Sequence, residues 1–139
     1  MKPRTLILLH WGLIGFFALL MLADGLAGAL QVQGGQNAMR HLGYPLYTLL
    51  IFGSAKILGA LALLQPWWRT LKEWAFAGFA INFVGAAASH LLAGDGLSAA
   101  LPALVMLAVL LGLHYLWRRY LAAQAKAPEL GSLARTVSA

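Results

Sequence analysis

Four apolar runs dominate this chain: Leu6 to Leu30, Leu46 to Leu64, Trp74 to Ala93 and Ser98 to Trp117. A hydrocarbon core about 30 Å thick takes roughly 20 helical residues to cross, so each run predicts one membrane-spanning helix. Within lipid the backbone must satisfy its own hydrogen bonds, which a helix does and an open strand does not. The connections between runs are short, so successive helices are expected to be antiparallel neighbours. Prolines respect these limits: Pro45 opens the second run, Pro66 follows it, and Pro102 falls near the start of the fourth. The expected fold is all-α, a polytopic membrane protein with four transmembrane helices in an up-down-up-down bundle over residues 1–120. Residues 121–139 are Ala-rich, with scattered polar groups and no sustained apolar face, and read as a disordered tail.

Composition closes off the alternatives. The chain is 61% hydrophobic and 10% charged, against about 25% charged in a soluble domain. So few charges could not cover a water-facing surface, which excludes an ordinary cytosolic enzyme or a disordered chain. There is no cysteine, so disulfides, thiolate metal sites, iron–sulfur ligation and covalent c-type haem attachment are excluded. One rival reading takes Lys2, Arg4, the first apolar run and Ala27-Gly28-Ala29 as a cleavable secretory signal. The run before Asp24 is about 18 residues, longer than a signal core, and three more spans follow. A retained first helix is expected.

The net charge of +6 is distributed as the topology rule demands. Lys2, Arg4, Arg69, Lys72, Arg118, Arg119, Lys126 and Arg135 fall on one side of the membrane, and only Arg40 on the other. Both termini and the 65–73 connection are therefore expected in the cytoplasm. Trp67, Trp68, Trp74, Tyr115, Trp117 and Tyr120 cluster at the same predicted interface, with Tyr44 and Tyr47 at the opposite one. No basic stripe can be drawn on a folded face, so nucleic acid is not an expected partner. The 31–43 connection is turn-rich and could cap the outer mouth of the bundle.

Ionisable groups within a bilayer cost at least about 2.5–3.5 kcal/mol on insertion scales, and so mark candidate sites. Lys56 lies near the middle of the second span. Asp24 lies about 6 residues, or about 9 Å, from the outer end of the first. A lysine stem could climb to that carboxylate, either as a structural ion pair or as part of a ligand site. The third span adds Asn82, Ser89 and His90. Gly78, Asn82, Gly85, Ala86 and Ser89 share one helix face, as close helix packing requires. Asp24, Lys56, Asn82, Ser89 and His90 are the candidate ligand-binding residues, lining one outward-opening pocket in which Asp24 would tune His90. His10 and His114, both near the cytoplasmic end, suggest a haem alternative, and His41 and His90 form a second, outer pair. The fit is loose, because such residues near interfaces need no ligand. Carboxylates are too few to complete a metal site, and no catalytic motif is present.

The ordered segments His41-Leu-Gly-Tyr-Pro45, Lys56-Ile-Leu-Gly-Ala60, Leu63-Leu-Gln-Pro66, Leu71-Lys-Glu-Trp-Ala75-Phe-Ala-Gly78-Phe, Gly85-Ala86 and Ser89-His90 resemble the DoxX-like family of small membrane proteins. The resemblance covers roughly residues 4–120. It implies a four-helix integral membrane protein of bacterial type, in the inner membrane. The family takes its name from a subunit associated with quinone-linked sulfur oxidation, and other members are implicated in membrane oxidoreductase complexes. The absence of cysteine departs from any thiol-based electron transfer by the chain's own residues.

Three functions stay open. The first is an accessory or subunit of a membrane redox system with a quinone or small-molecule pocket. The second is a non-catalytic binding or transport module for a small amphipathic compound. The third is a structural protein whose small-residue faces assemble homo-oligomers. Beyond the lipid bilayer, the expected partners are accordingly an amphipathic ligand, a membrane oxidoreductase or further copies of the chain.

Overall fold

A computed structural model describes the backbone of residues 3–137 and the side chains of residues 4–125. Five helices follow in order: α1 (Pro3–Ala29), α2 (Gln33–His41), α3 (Tyr47–Leu64), α4 (Arg69–Leu92) and α5 (Leu97–Val137). No strand occurs among the described residues. Helices α1, α3, α4 and α5 are each long and apolar enough to cross a membrane. They form an all-α, up-down-up-down bundle in which α1 adjoins α3, α3 adjoins α4, α4 adjoins α5, and α5 returns to α1.

The surface follows from the solvent it meets. Leu8, Phe16, Leu19, Leu58, Ile81 and Leu111 all point outward and are exposed. In water such a belt would aggregate; in lipid it costs nothing. The core combines aliphatic and aromatic side chains with alanines. Ile14 and Phe17 of α1, Leu63 of α3, Phe79 and Phe83 of α4, and Leu110 and Leu113 of α5 are buried together. Phe17 meets Phe79 edge to face at 5.6 Å, and Phe79 stacks along Phe83 at 6.2 Å, geometries that aromatic quadrupoles favour. Gly59 on α3 makes room for this cluster, since a Cβ there would stand 2.9 Å from the Phe79 ring.

Lipid supplies no hydrophobic drive between helices, so close packing must hold the bundle. That packing is concentrated at the α1–α3 seam. A Cβ on Gly53 would stand 2.6 Å from the Gly25 carbonyl oxygen and nearer still to the Ala29 nitrogen. A Cβ on Gly28 would meet Gly53 Cα at 3.2 Å. Backbone therefore lies on backbone. The α1–α5 seam is looser, leaving an apolar crevice of about 450 Å³ between Leu9, Leu13 and Phe16 on one side and Met106, Val109 and Leu116 on the other. The glycine stripe of α4, expected to permit close approach, has no such partner among the described residues: nothing lies within 4 Å of a Cβ placed on Gly78 or Gly85.

The connections differ from the sequence expectation in two places. Residues 33–41, read as part of a turn-rich loop, form α2. Gln33 donates to Asn37, and Arg40 to Gln36, each one helical turn away, and Gly35 lets the helix rest on Leu49 of α3. The α3–α4 turn is also shorter than expected, because α4 begins at Arg69. Gln65 holds it closed, accepting from the Trp68 N–H at 2.7 Å and donating to the Trp68 carbonyl at 2.8 Å. Helix α5 runs on without a break from its span to Val137. The side chains of most of the stretch read as a disordered tail lie outside the described residues.

Candidate functional site

The five candidate residues fall into separate groups. Lys56 Nζ donates to Asp24 Oδ2 at 2.5 Å, joining α3 to α1. The antiparallel glycine seam sets this meeting, since it brings Gly25 against Gly53 and Ile57. The Lys56 side chain is 23% exposed and the Asp24 side chain 55%, so the pair opens onto the lipid-facing flank rather than an enclosed chamber.

Ser89 and His90 belong to a different group at the loop end of the bundle. His90 Nδ1–H donates to Asp95 Oδ2 at 2.7 Å, and His41 Nε2–H donates to Asp95 Oδ1 at 2.5 Å. His90 is thus partnered by Asp95, where Asp24 was the expected partner. Ser89 gives its hydroxyl proton to the Gly85 carbonyl at 2.8 Å, so the 2.8 Å contact with Tyr44 has the tyrosine donating. Asn82, half-exposed on α4, makes no side-chain hydrogen bond among the described residues. No hydrogen bond joins the Asp24–Lys56 pair to the Asp95 group among those residues.

Backbone geometry aims Asp95. Helix α4 ends in a Schellman turn: Gly94 adopts φ +83°, its N–H bonds the Leu91 carbonyl, and the Asp95 N–H bonds the His90 carbonyl at 3.0 Å. Gly96, at φ +80°, turns the chain again into α5. The carboxylate is left over the end of α4, facing His41 across the mouth. Hydrogen bonds from His90, then His41, hold the Asp95 carboxyl below its ordinary value of 3.8, with the two imidazoles' charge acting in the same direction and partial desolvation opposing.

The two histidines of the haem alternative occupy unlike surroundings. His114 Nε2–H donates to Glu73 Oε2 at 3.0 Å and meets Phe76 edge to face. His10 is buried in the core, stacked on Tyr120 at 4.6 Å, and neither ring nitrogen has a partner among the described residues. No cluster of three or more metal-ligating side chains occurs among the described residues.

Three polar residues that the structure places in contacts or in the core stand outside the sequence candidates: Asp95, Tyr44 and Lys72. Asp95 and Tyr44 had a signal: Gly94-Asp95-Gly96 lies within one turn of Ser89-His90, and Tyr44 closes the opposite connection. Lys72 was counted as an interfacial charge, yet it is buried. Its signal was periodicity, since Lys72, Ala75, Phe76, Phe79 and Phe83 are all buried and share one face of α4. Trp117 was likewise expected at the interface and lies in the core, stacked on Phe76.

A family model described as the DoxX-like family matches residues 12–113, from the first span to the fourth. No curated protein and no solved structure matches the chain.

Proposed function

Because this chain belongs to the DoxX-like family, we propose that it serves a membrane redox system as an accessory subunit that binds a small quinone-like carbonyl compound at Lys56. One observation carries this reading: Lys56 spends one N–H on Asp24 and stands partly open to the lipid-facing flank. An ammonium has three donors, so donors remain for a carbonyl oxygen. Asp24 fixes the ammonium and balances its charge. A compound dissolved in the bilayer would enter sideways, with its apolar body against the exposed Phe52, one turn from Lys56 on the same face of α3.

The test is a melt of the full chain in nanodiscs with a short-chain quinone. Wild type should gain several degrees, while Lys56→Met, an apolar replacement of similar length, should gain none. Equal protection of both proteins, or of neither, would sink the reading.

A second reading is favoured by the open face of α4. Gly78 and Gly85 have nothing against them and Asn82 between them has no partner within the described chain, a pattern suited to close packing of identical helices. Gly85→Leu would then shift the particle mass in mild detergent to that of a monomer. An unchanged mass removes this alternative.

A further inference from the structure

The opposite end of the bundle carries a polar feature that the quinone reading does not use. A cavity of about 170 Å³ lies between the α3–α4 turn and the part of α5 near Tyr120. Trp11, Trp117 and Tyr120 form part of its wall, Lys72 reaches into it, and the exposed Arg69 stands at its edge. Lys72 is only 4% exposed, yet no hydrogen bond or carboxylate partners it among the described residues. Its Nζ lies 4.8 Å from the Trp11 ring centre and 6.0 Å from that of Trp117. Glu73, next to it in sequence, is engaged elsewhere, by His114 and Arg118.

The Lys72 stem is buried while its ammonium opens onto the cavity, and ring faces offset only part of the cost of drawing that charge out of bulk water. The remaining donors of Lys72 therefore point to a missing acceptor. Its nature can be narrowed. The single ammonium lining the cavity matches a single negative charge. Gln65, Arg69 and Gln124 complete a mixed lining, and its aromatic part favours a flat apolar body over a hydrated inorganic ion. The volume is close to that of an apolar cavity known to admit a benzene ring, about 150 Å³.

We propose that this cavity binds a small aromatic carboxylate. The ring lies against Trp11 and Trp117, the carboxylate accepts hydrogen bonds from Lys72, and Arg69 draws the anion to the mouth. The site is separate from Lys56, and its fate is independent of the quinone reading.

The probe is sodium benzoate, with neutral benzamide as its near-isostere, added to the full chain in phosphatidylcholine nanodiscs at constant ionic strength. Tryptophan emission reads occupancy directly, because tryptophans form the wall. Benzoate should quench saturably and bind about tenfold or more tightly than benzamide, the margin of a charge-assisted bond over a neutral one. Lys72→Met should erase that preference. Equal affinity for the two probes, or a preference that survives Lys72→Met, overturns the proposal. If Lys72→Met does not fold, Arg69→Gln decides: benzoate must weaken and benzamide must not, and unchanged benzoate affinity overturns the proposal. A lipid headgroup is the competing source of an anion. Discs of phosphatidylglycerol that stabilise wild type over Lys72→Met and block benzoate would assign the site to lipid and overturn the aromatic ligand.

Discussion

Asp95 does at one residue what the sequence reading assigned to a pocket. It ties the end of α4 to the end of α2 through His90 and His41, and its lowered pKa fixes the sign of a pH effect. A carboxyl whose folded pKa lies below its unfolded value stabilises the fold fully above the unfolded value and loses that contribution as pH falls through the folded one. The melting temperature should therefore fall as pH drops below the ordinary carboxylate value of 3.8. Asp95→Asn should flatten that limb of a pH-dependent melt. His10 gives a prediction of opposite sign. Its two ring nitrogens are buried and have no partner among the described residues, and such groups cost about 1–3 kcal/mol. His10→Phe keeps the stack on Tyr120 and should stabilise the protein in a detergent unfolding titration. The candidate site was legible to the extent that polar residues at membrane depth stand out, and the Asp24–Lys56 meeting was anticipated. The partner of His90 was not, because depth along a helix says nothing of azimuth, and a loop carboxylate two glycines wide was overlooked.

At the scale of elements, helix length was legible and helix contact was not. Apolar runs set the spans because lipid thickness sets the length. Which glycines meet depends on rotation about each axis, which α4's stripe of small residues could not report. The difference is testable. Gly53→Ala forces a methyl onto the α1 backbone and should cost about 1–3 kcal/mol, as overpacking does. Gly78→Ala and Gly85→Ala enter open space and should leave the unfolding midpoint unchanged or slightly raised, since alanine is the better helix former. The helix ends offer another case. Gln31 closes α1 at φ +51°, in the role that Gly43 and Gly94 fill for α2 and α4. A non-glycine residue in that conformation carries a penalty of roughly 1–2 kcal/mol. Gln31→Gly should recover part of it, read in the same titration. Helix α2 was missed because Gly34-Gly35 argue for a turn, while the side-chain ladder and the contact with Leu49 come only with the folded partner.

For the whole molecule, the strongest expectation concerns orientation. The absence of cysteine makes any introduced thiol unique. In intact cells, Asn37→Cys on α2 should react with a membrane-impermeant maleimide, and Thr70→Cys at the start of α4 should react only after lysis. Both positions are exposed, so the contrast reads sidedness rather than burial. Reversed labelling would invert the expected topology. The bundle's seams have a further consequence, for the order in which it is built. Of the four spans, α1 and α3 are synthesised before the other two, and their seam is the one where backbone touches backbone. The tightest contact is therefore available as soon as residue 64 has entered the bilayer, before α4 has followed it. The last seam to form, α1 with α5, joins the earliest helix to the latest and is the loose one. Construction thus proceeds from a closed hairpin outward, and the molecule completes its ring at its weakest joint.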